Sequence, residues 1–248
     1  MIQFFRKIRQ NLLMENNTGK YFKYAIGEII LVVIGILIAV NVNNWNNDII
    51  ANKQAILYKK QLKKDLQLDS TYINSYLGYI NESEKKWQSL KKRITDSQAT
   101  LDTIIKIDKE EFNYFVRIFN GFNNNTFNTI GTSGKWDVFT DEFVYDITSF
   151  YNFQEKSYNL INQEIQSNFL NNLYSHGKAY PHEQPFAMLG KGPANAFLWE
   201  NLDKQSYLVS FNGVTTTQAT YFRLTKQQLL ILKRRIHQIL DTHFSENK

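Results

Sequence analysis

The chain has 248 residues, with 29 Lys or Arg against 23 Asp or Glu and no cysteine. The lack of cysteine excludes a disulfide framework, a thiol nucleophile and a lipoprotein anchor. The formal charge of +6 is shared evenly. The first 45 residues hold five basic and two acidic side chains and the rest hold 24 and 21, so the nearly balanced body offers no electrostatic ground for nucleic-acid binding.

Met1–Met14 reads as a short amphipathic helix. Ile2, Phe4, Phe5, Ile8 and Leu12 share one face, and Gln3, Arg6, Lys7, Gln10 and Asn11 the other. That pattern suits a helix lying among anionic headgroups. Glu15 to Gly19 breaks it. Tyr24 to Val42, YAIGEIILVVIGILIAVNV, follows; within it Ile29–Val40 carries no charge, and ten of its twelve residues are Ile, Leu or Val. Those ten favour membrane insertion by about 3–6 kcal/mol. As a helix the stretch is roughly 28 Å long, enough to cross a hydrocarbon core. Trp45 beyond it, and Tyr21, Phe22 and Tyr24 before it, suit interfacial anchors. No A-x-A-like cleavage site follows, so the expectation is an uncleaved signal anchor. Arg6, Lys7, Arg9, Lys20 and Lys23 precede the span and Lys53 follows it, which places the N-terminus in the cytoplasm.

On a helical wheel Gly27, Glu28, Gly35 and Ala39 fall on one arc of this span. Gly35 and Ala39 form a small-xxx-small pair that lets a second helix approach closely, and Glu28 either pairs there or snorkels to the headgroups. The arc is the candidate membrane-helix contact face.

MIQFFRKIRQNLL, and then KYFKYAIGEIILVVIGILIAVNVNNWN, resembles the opening of a large family of single-span membrane proteins from flavobacteria and their relatives, known as a domain of unknown function. The resemblance is specific over residues 1–47. It continues more loosely through the body, including Thr126 to Gly134, TFNTIGTSG, and stops at His176–Gly213. It implies a helical domain outside the inner membrane and no established activity, so it carries over no catalytic residue.

Beyond Trp45 a heptad-like, coiled-coil spacing sets in. Ala55, Tyr58 or Lys59, Leu62, Leu66, Asp69, Ile73, Tyr76, Ile80, Ser83, Trp87, Leu90 and Ile94 alternate steps of three and four, which predicts a long amphipathic helix ended by Thr95-Asp96-Ser97. Asp69 and Ser83 are polar intrusions expected to hydrogen-bond, and Trp87 is expected in the core. A second helix is expected from Asp108 as N-cap, with Glu110 and Glu111 in its first turn and Phe112, Phe115, Val116 and Phe119 buried. Thr126 is expected to cap a short helix that Gly134 ends. A third long helix runs from about Asp141 to Tyr174 on the seam Phe143, Ile147, Phe150, Tyr158, Ile161, Ile165, Phe169 and Leu173. Pro181, Pro185, Pro193 and the nearby glycines mark a loop of about 20 residues. Short helices are expected at Asn195–Leu202 and Gln205–Phe211, then a last helix capped by Thr215–Thr217 and running to about Phe244.

No stretch carries a recognisable reaction. Gly131-Thr132-Ser133-Gly134-Lys135 has Thr129 where a phosphate loop begins with Gly, and Trp136 where Ser or Thr must hold magnesium. His176, His182, His237 and His243 lack zinc spacing and are expected at the surface or in loops. Glu110-Glu111 and Asp141-Glu142 are explained by helix N-termini, which favour negative charge.

The expectation is an all-α protein in three parts: a cytoplasmic amphipathic, interfacial segment over 1–19, a transmembrane signal-anchor helix over 20–45, and an up-and-down helical bundle over 46–248 on the periplasmic side of the inner membrane. It needs no cofactor or metal and is not an enzyme. It acts as a scaffold, interaction or sensing module that associates with itself or with a partner membrane protein. The alternative is an accessory subunit of an ion-coupled membrane complex that uses Glu28.

Overall fold

The helical period that begins before the apolar stretch does not break at Trp45. In the computed structural model, which describes residues 18–181, 183 and 187–245, it forms one helix, α1 (Thr18–Ile94). The segment Met1–Met14, His182, and the side chains of Tyr21 and Tyr24 lie outside the described residues. The rest is also helical: α2 (Leu101–Glu110), α3 (Asn125–Ser133), a 3-10 turn (Lys135–Val138), α4 (Asp141–Asn159), a π-turn (Leu160–Ile165), α5 (Gln166–Ala179), α6 (Pro193–Glu200) and α7 (Lys204–His243). There is no strand among the described residues. The chain divides into two units, residues 1–57 and 58–248.

In the first unit most of the apolar side chains of α1 are exposed. Ile29, Leu31, Leu37 and Ile38 are all more than half exposed, and so is Trp45.

The second unit is a helical bundle around one apolar core. Leu62, Leu66, Ile73, Tyr76 and Ile80 of the α1 seam are fully buried, together with Ile107 of α2, Phe143, Ile147 and Phe150 of α4, Phe169 of α5, and Leu229, Leu232 and Ile236 of α7. α7 packs along α4, the π-turn and α5. The seam of the third helix explains the π-turn. Ile161, Ile165, Phe169 and Leu173 recur every four residues, which overshoots the period of 3.6; the wider turn at 160–165 absorbs the excess and keeps the row facing inward.

Five local expectations are corrected. Asp108 does not start a helix. Thr100 does, in a reciprocal capping box with Thr103, so Glu110 and Glu111 fall at the C-terminal end. There Glu111 opposes the helix dipole and is met by a two-pronged pair with Arg93. Residues 112–124 form a strap without regular secondary structure instead of a second helix. Phe112 and Tyr114 are buried while Asn113 and Phe115 are exposed, the period of two that extended chain produces. Asn124, not Thr126, is the N-cap residue of α3; the amide of the buried Thr126 is met from α1, by Asp65 Oδ2 at 3.3 Å. Lastly, Thr215–Thr217 lie inside α7, which begins at Asp203, whose carboxylate accepts from the amides of Gln205 and Ser206. The Thr215 and Thr217 hydroxyls bond back to the carbonyls of Phe211 at 2.8 Å and Gly213 at 3.0 Å, which keeps them compatible with a helix. Gly134, at φ 65°, ends α3 as expected. Trp87 is half-buried instead of a core residue.

A backbone without secondary structure needs other partners for its polar groups. The strap finds them on one stripe of α1. Tyr72 Oη accepts from the Asn120 amide at 3.0 Å, and Tyr79 Oη accepts from the Arg117 amide at 2.9 Å. Tyr76 donates to the Arg117 carbonyl, with its oxygen 2.6 Å from that of Tyr221. Asp69 holds the next turn, its Oδ1 accepting from the amide and side chain of Asn123 at 2.8 and 2.7 Å and its Oδ2 from Gln154 at 2.8 Å. Gly121 makes the turn at φ 97°, where a Cβ would sit 3.2 Å from the Tyr158 ring.

Burial pushes the Asp69 carboxyl up to about 6, against the hydrogen bonds from Asn123 and Gln154. A carboxyl whose pKa is higher folded than unfolded binds its proton more tightly in the folded state. Its contribution is full below the unfolded value of 3.8 and is lost as pH rises through about 6. Lowering pH from about 7 to about 5 should therefore stabilise the bundle by about 1 kcal/mol through this group. Asp69→Asn should lack that increment. Denaturant midpoints of both proteins at the two pH values decide it, and equal pH dependence in both would refute the assignment.

Candidate functional site

The sequence points to the apolar part of α1. Gly27, Gly35 and Ala39 are exposed and Glu28 is half-buried. A Cβ built on Gly27 or Gly35 would meet nothing within 4 Å. The four residues lie on one continuous helix. An 18-residue window of that helix has a mean hydropathy of 2.6, and none of it is buried. It is long and apolar enough to cross a membrane.

A second site was not expected. At the C-terminal end of α2 the buried Asp108 accepts from the phenols of Tyr114 and Tyr207, the latter at 2.6 Å. The Tyr114 hydroxyl also lies 3.3 Å from His176 Nε2, and His176 Nδ1 lies 2.9 Å from Ser210 Oγ. Burial, and then the charge of Asp108, push both phenols far above the ordinary tyrosine range. They stay protonated and donate, and so satisfy the buried Asp108 side chain away from water. Next to this cluster Lys109 pairs with Glu183 at 3.0 Å and lies 4.3 Å from the centre of the Trp199 ring. The arrangement joins α2, the strap, α5 and α7 through one chain of polar contacts ending at the half-buried Ser210.

His176 is therefore buried, contrary to the expectation of a surface or loop position. His243 contacts Asp146 Oδ2 at 2.7 Å, and His237 is exposed. One signal pointed to the cluster: His176 continues the row Phe169, Leu173 by one further step. No group of three or more potential metal ligands occurs among the described residues. The Gly131–Lys135 stretch ends α3 and enters the 3-10 turn.

No curated protein matches the chain. No solved structure matches it either. A family of unknown function, DUF6090, matches residues 28–181. The match takes in most of the apolar stretch, the α1 seam, the strap and Asp108, Tyr114 and His176, and ends inside the His176–Gly213 stretch where the resemblance stops. It covers more than half of the chain, which belongs to this family of unknown function.

Proposed function

We propose that the protein is a single-pass inner-membrane protein of the kind its first 47 residues resemble, a membrane-tethered helical module for interaction or sensing. Residues 1–19 lie at the cytoplasmic surface, 20–45 span the bilayer as a signal anchor, and 46–248 form the periplasmic bundle. The observation that carries this reading is the apolar window of α1, with mean hydropathy 2.6 and no residue buried. Surface of that kind is stable in lipid and costly in water. The five-to-one excess of Lys and Arg before the span supports the orientation. Alkaline phosphatase fused at the C-terminus should be active, and a cytoplasmic reporter at the same place inactive; the reverse result overturns the orientation.

The arc of Gly27, Glu28, Gly35 and Ala39 is the contact face toward a second span, from another copy or from a partner membrane protein. Lipid gives no reason for a groove in a bulky helix, whereas close helix packing does. A cysteine introduced at Ala39 should crosslink in the membrane, one at Ile30 should not, and Gly35→Ile should abolish the first signal. Equal crosslinking from both positions, unchanged by Gly35→Ile, would remove the contact face.

A further inference from the structure

The last turns of the α1 seam reach the edge of the core, where Leu90 and Ile94 pack against it but stay only partly buried. Leu90 and Ile94 of α1, Ile104 of α2, Phe112 of the strap, and Leu208 and Phe211 of α7 wall a cavity of about 330 Å³. That lies at the lower end of the range for small-ligand sites, roughly 300–1,000 Å³. At its mouth stands Trp87. Its indole N–H donates to the Thr215 carbonyl at 3.3 Å, which fixes the ring between the cavity and a neighbouring open groove of about 810 Å³. Trp87, Lys91 and Thr216 line both. The groove carries four cations, Lys85, Lys91, Arg223 and Lys226, against the single carboxylate of Glu84, which pairs with Lys226. The Lys91 ammonium lies 5.2 Å from the centre of the Trp87 ring, at the junction.

An apolar recess opening onto a cationic ledge is complementary to a molecule with an apolar body and an anionic head. We propose that this cavity binds a single-chain amphiphilic anion, with its chain between α1, α2 and α7 and its carboxylate or phosphate at Lys91, backed by Lys85 and Arg223. The volume suits one acyl chain. The proposal supplies the ligand class for the sensing reading above, on which it rests for its biological meaning, but binding itself does not depend on the orientation of the span.

The test uses the full chain in lipid nanodiscs, labelled with a diazirine-bearing dodecanoate and mapped by mass spectrometry. Label is expected on the peptides containing Leu90–Ile94 and Leu208–Phe211. Dodecanoate or dodecyl phosphate should compete at least about tenfold better than dodecanol, a difference of about 1.4 kcal/mol. The better of the two anions identifies the head group. Leu208→Trp, which fills the cavity, should abolish the label. The paired change Lys85→Glu with Lys91→Glu alters only exposed side chains and should reduce labelling by at least about tenfold while leaving the helical spectrum unchanged. Label elsewhere in the chain, equal competition by dodecanol, or indifference to the charge reversal overturns the proposal. A reversed phosphatase result with labelling intact removes the orientation alone, and the converse removes the ligand alone.

Discussion

Asp108→Ala should lower the stability of the bundle by about 2–6 kcal/mol. Asp108 is buried at the C-terminal end of α2, and the phenols of Tyr114 and Tyr207 both donate to it. Removing the carboxyl leaves the buried Tyr207 hydroxyl without this acceptor and the Tyr114 hydroxyl with only His176 Nε2, 3.3 Å away, at a cost of about 1–3 kcal/mol for each bond lost. They cannot escape by ionising, because burial holds both phenols in the protonated form. Asp108→Asn keeps an acceptor and should recover part of the loss. Denaturant unfolding of the full chain in nanodiscs, followed by near-ultraviolet dichroism, reads this directly. A loss below about 1 kcal/mol for Asp108→Ala would show that the cluster does not hold the fold together.

Phe119→Ala is the second large effect, at about 3–5 kcal/mol. Phe119 is 1 % exposed and its ring lies 5.2 Å from those of Tyr72 and Tyr76 and 5.0 Å from that of Phe122. It is the anchor by which the strap fills the space over α1. Deleting the ring leaves a cavity that the surrounding tyrosines cannot fill without giving up their bonds to the strap backbone. The exposed Phe115, four residues earlier in the same strap, offers the contrast: Phe115→Ala should cost under about 1 kcal/mol. Equal losses at the two positions would rule out the extended strap and favour a helix with both rings inward.

The long periodicities were legible. The α1 seam from Leu62 to Ile80 and the inward rows of α4, α5 and α7 follow from the spacing of apolar residues alone, because each has many turns over which to repeat. Asp69 was read as a hydrogen-bonding intrusion and is one. The errors cluster where a short stretch satisfies two patterns. Phe112, Phe115, Val116 and Phe119 fit one face of a helix, and Phe112, Tyr114 and Val116 fit one face of an extended chain. The deciding partners, Tyr72, Tyr76 and Tyr79, lie some 40 residues away. The same holds for the polar cluster, whose members come from α2, the strap, α5 and α7 and share no local spacing. Gly27, Glu28, Gly35 and Ala39 lie on one continuous helix, as the spacing implied.

The strap has a consequence for amide hydrogen exchange. In a sheet each protected amide is held by another backbone, and no side-chain substitution removes the acceptor. Here the amides of Arg117 and Asn120 are held by the hydroxyls of Tyr79 and Tyr72. Tyr79→Phe deletes the acceptor of one amide and Tyr72→Phe that of the other, while the helices on either side keep their own bonds. The strap should thus open as its own exchange unit, below the free energy of unfolding the whole bundle, with each tyrosine setting the protection of one amide.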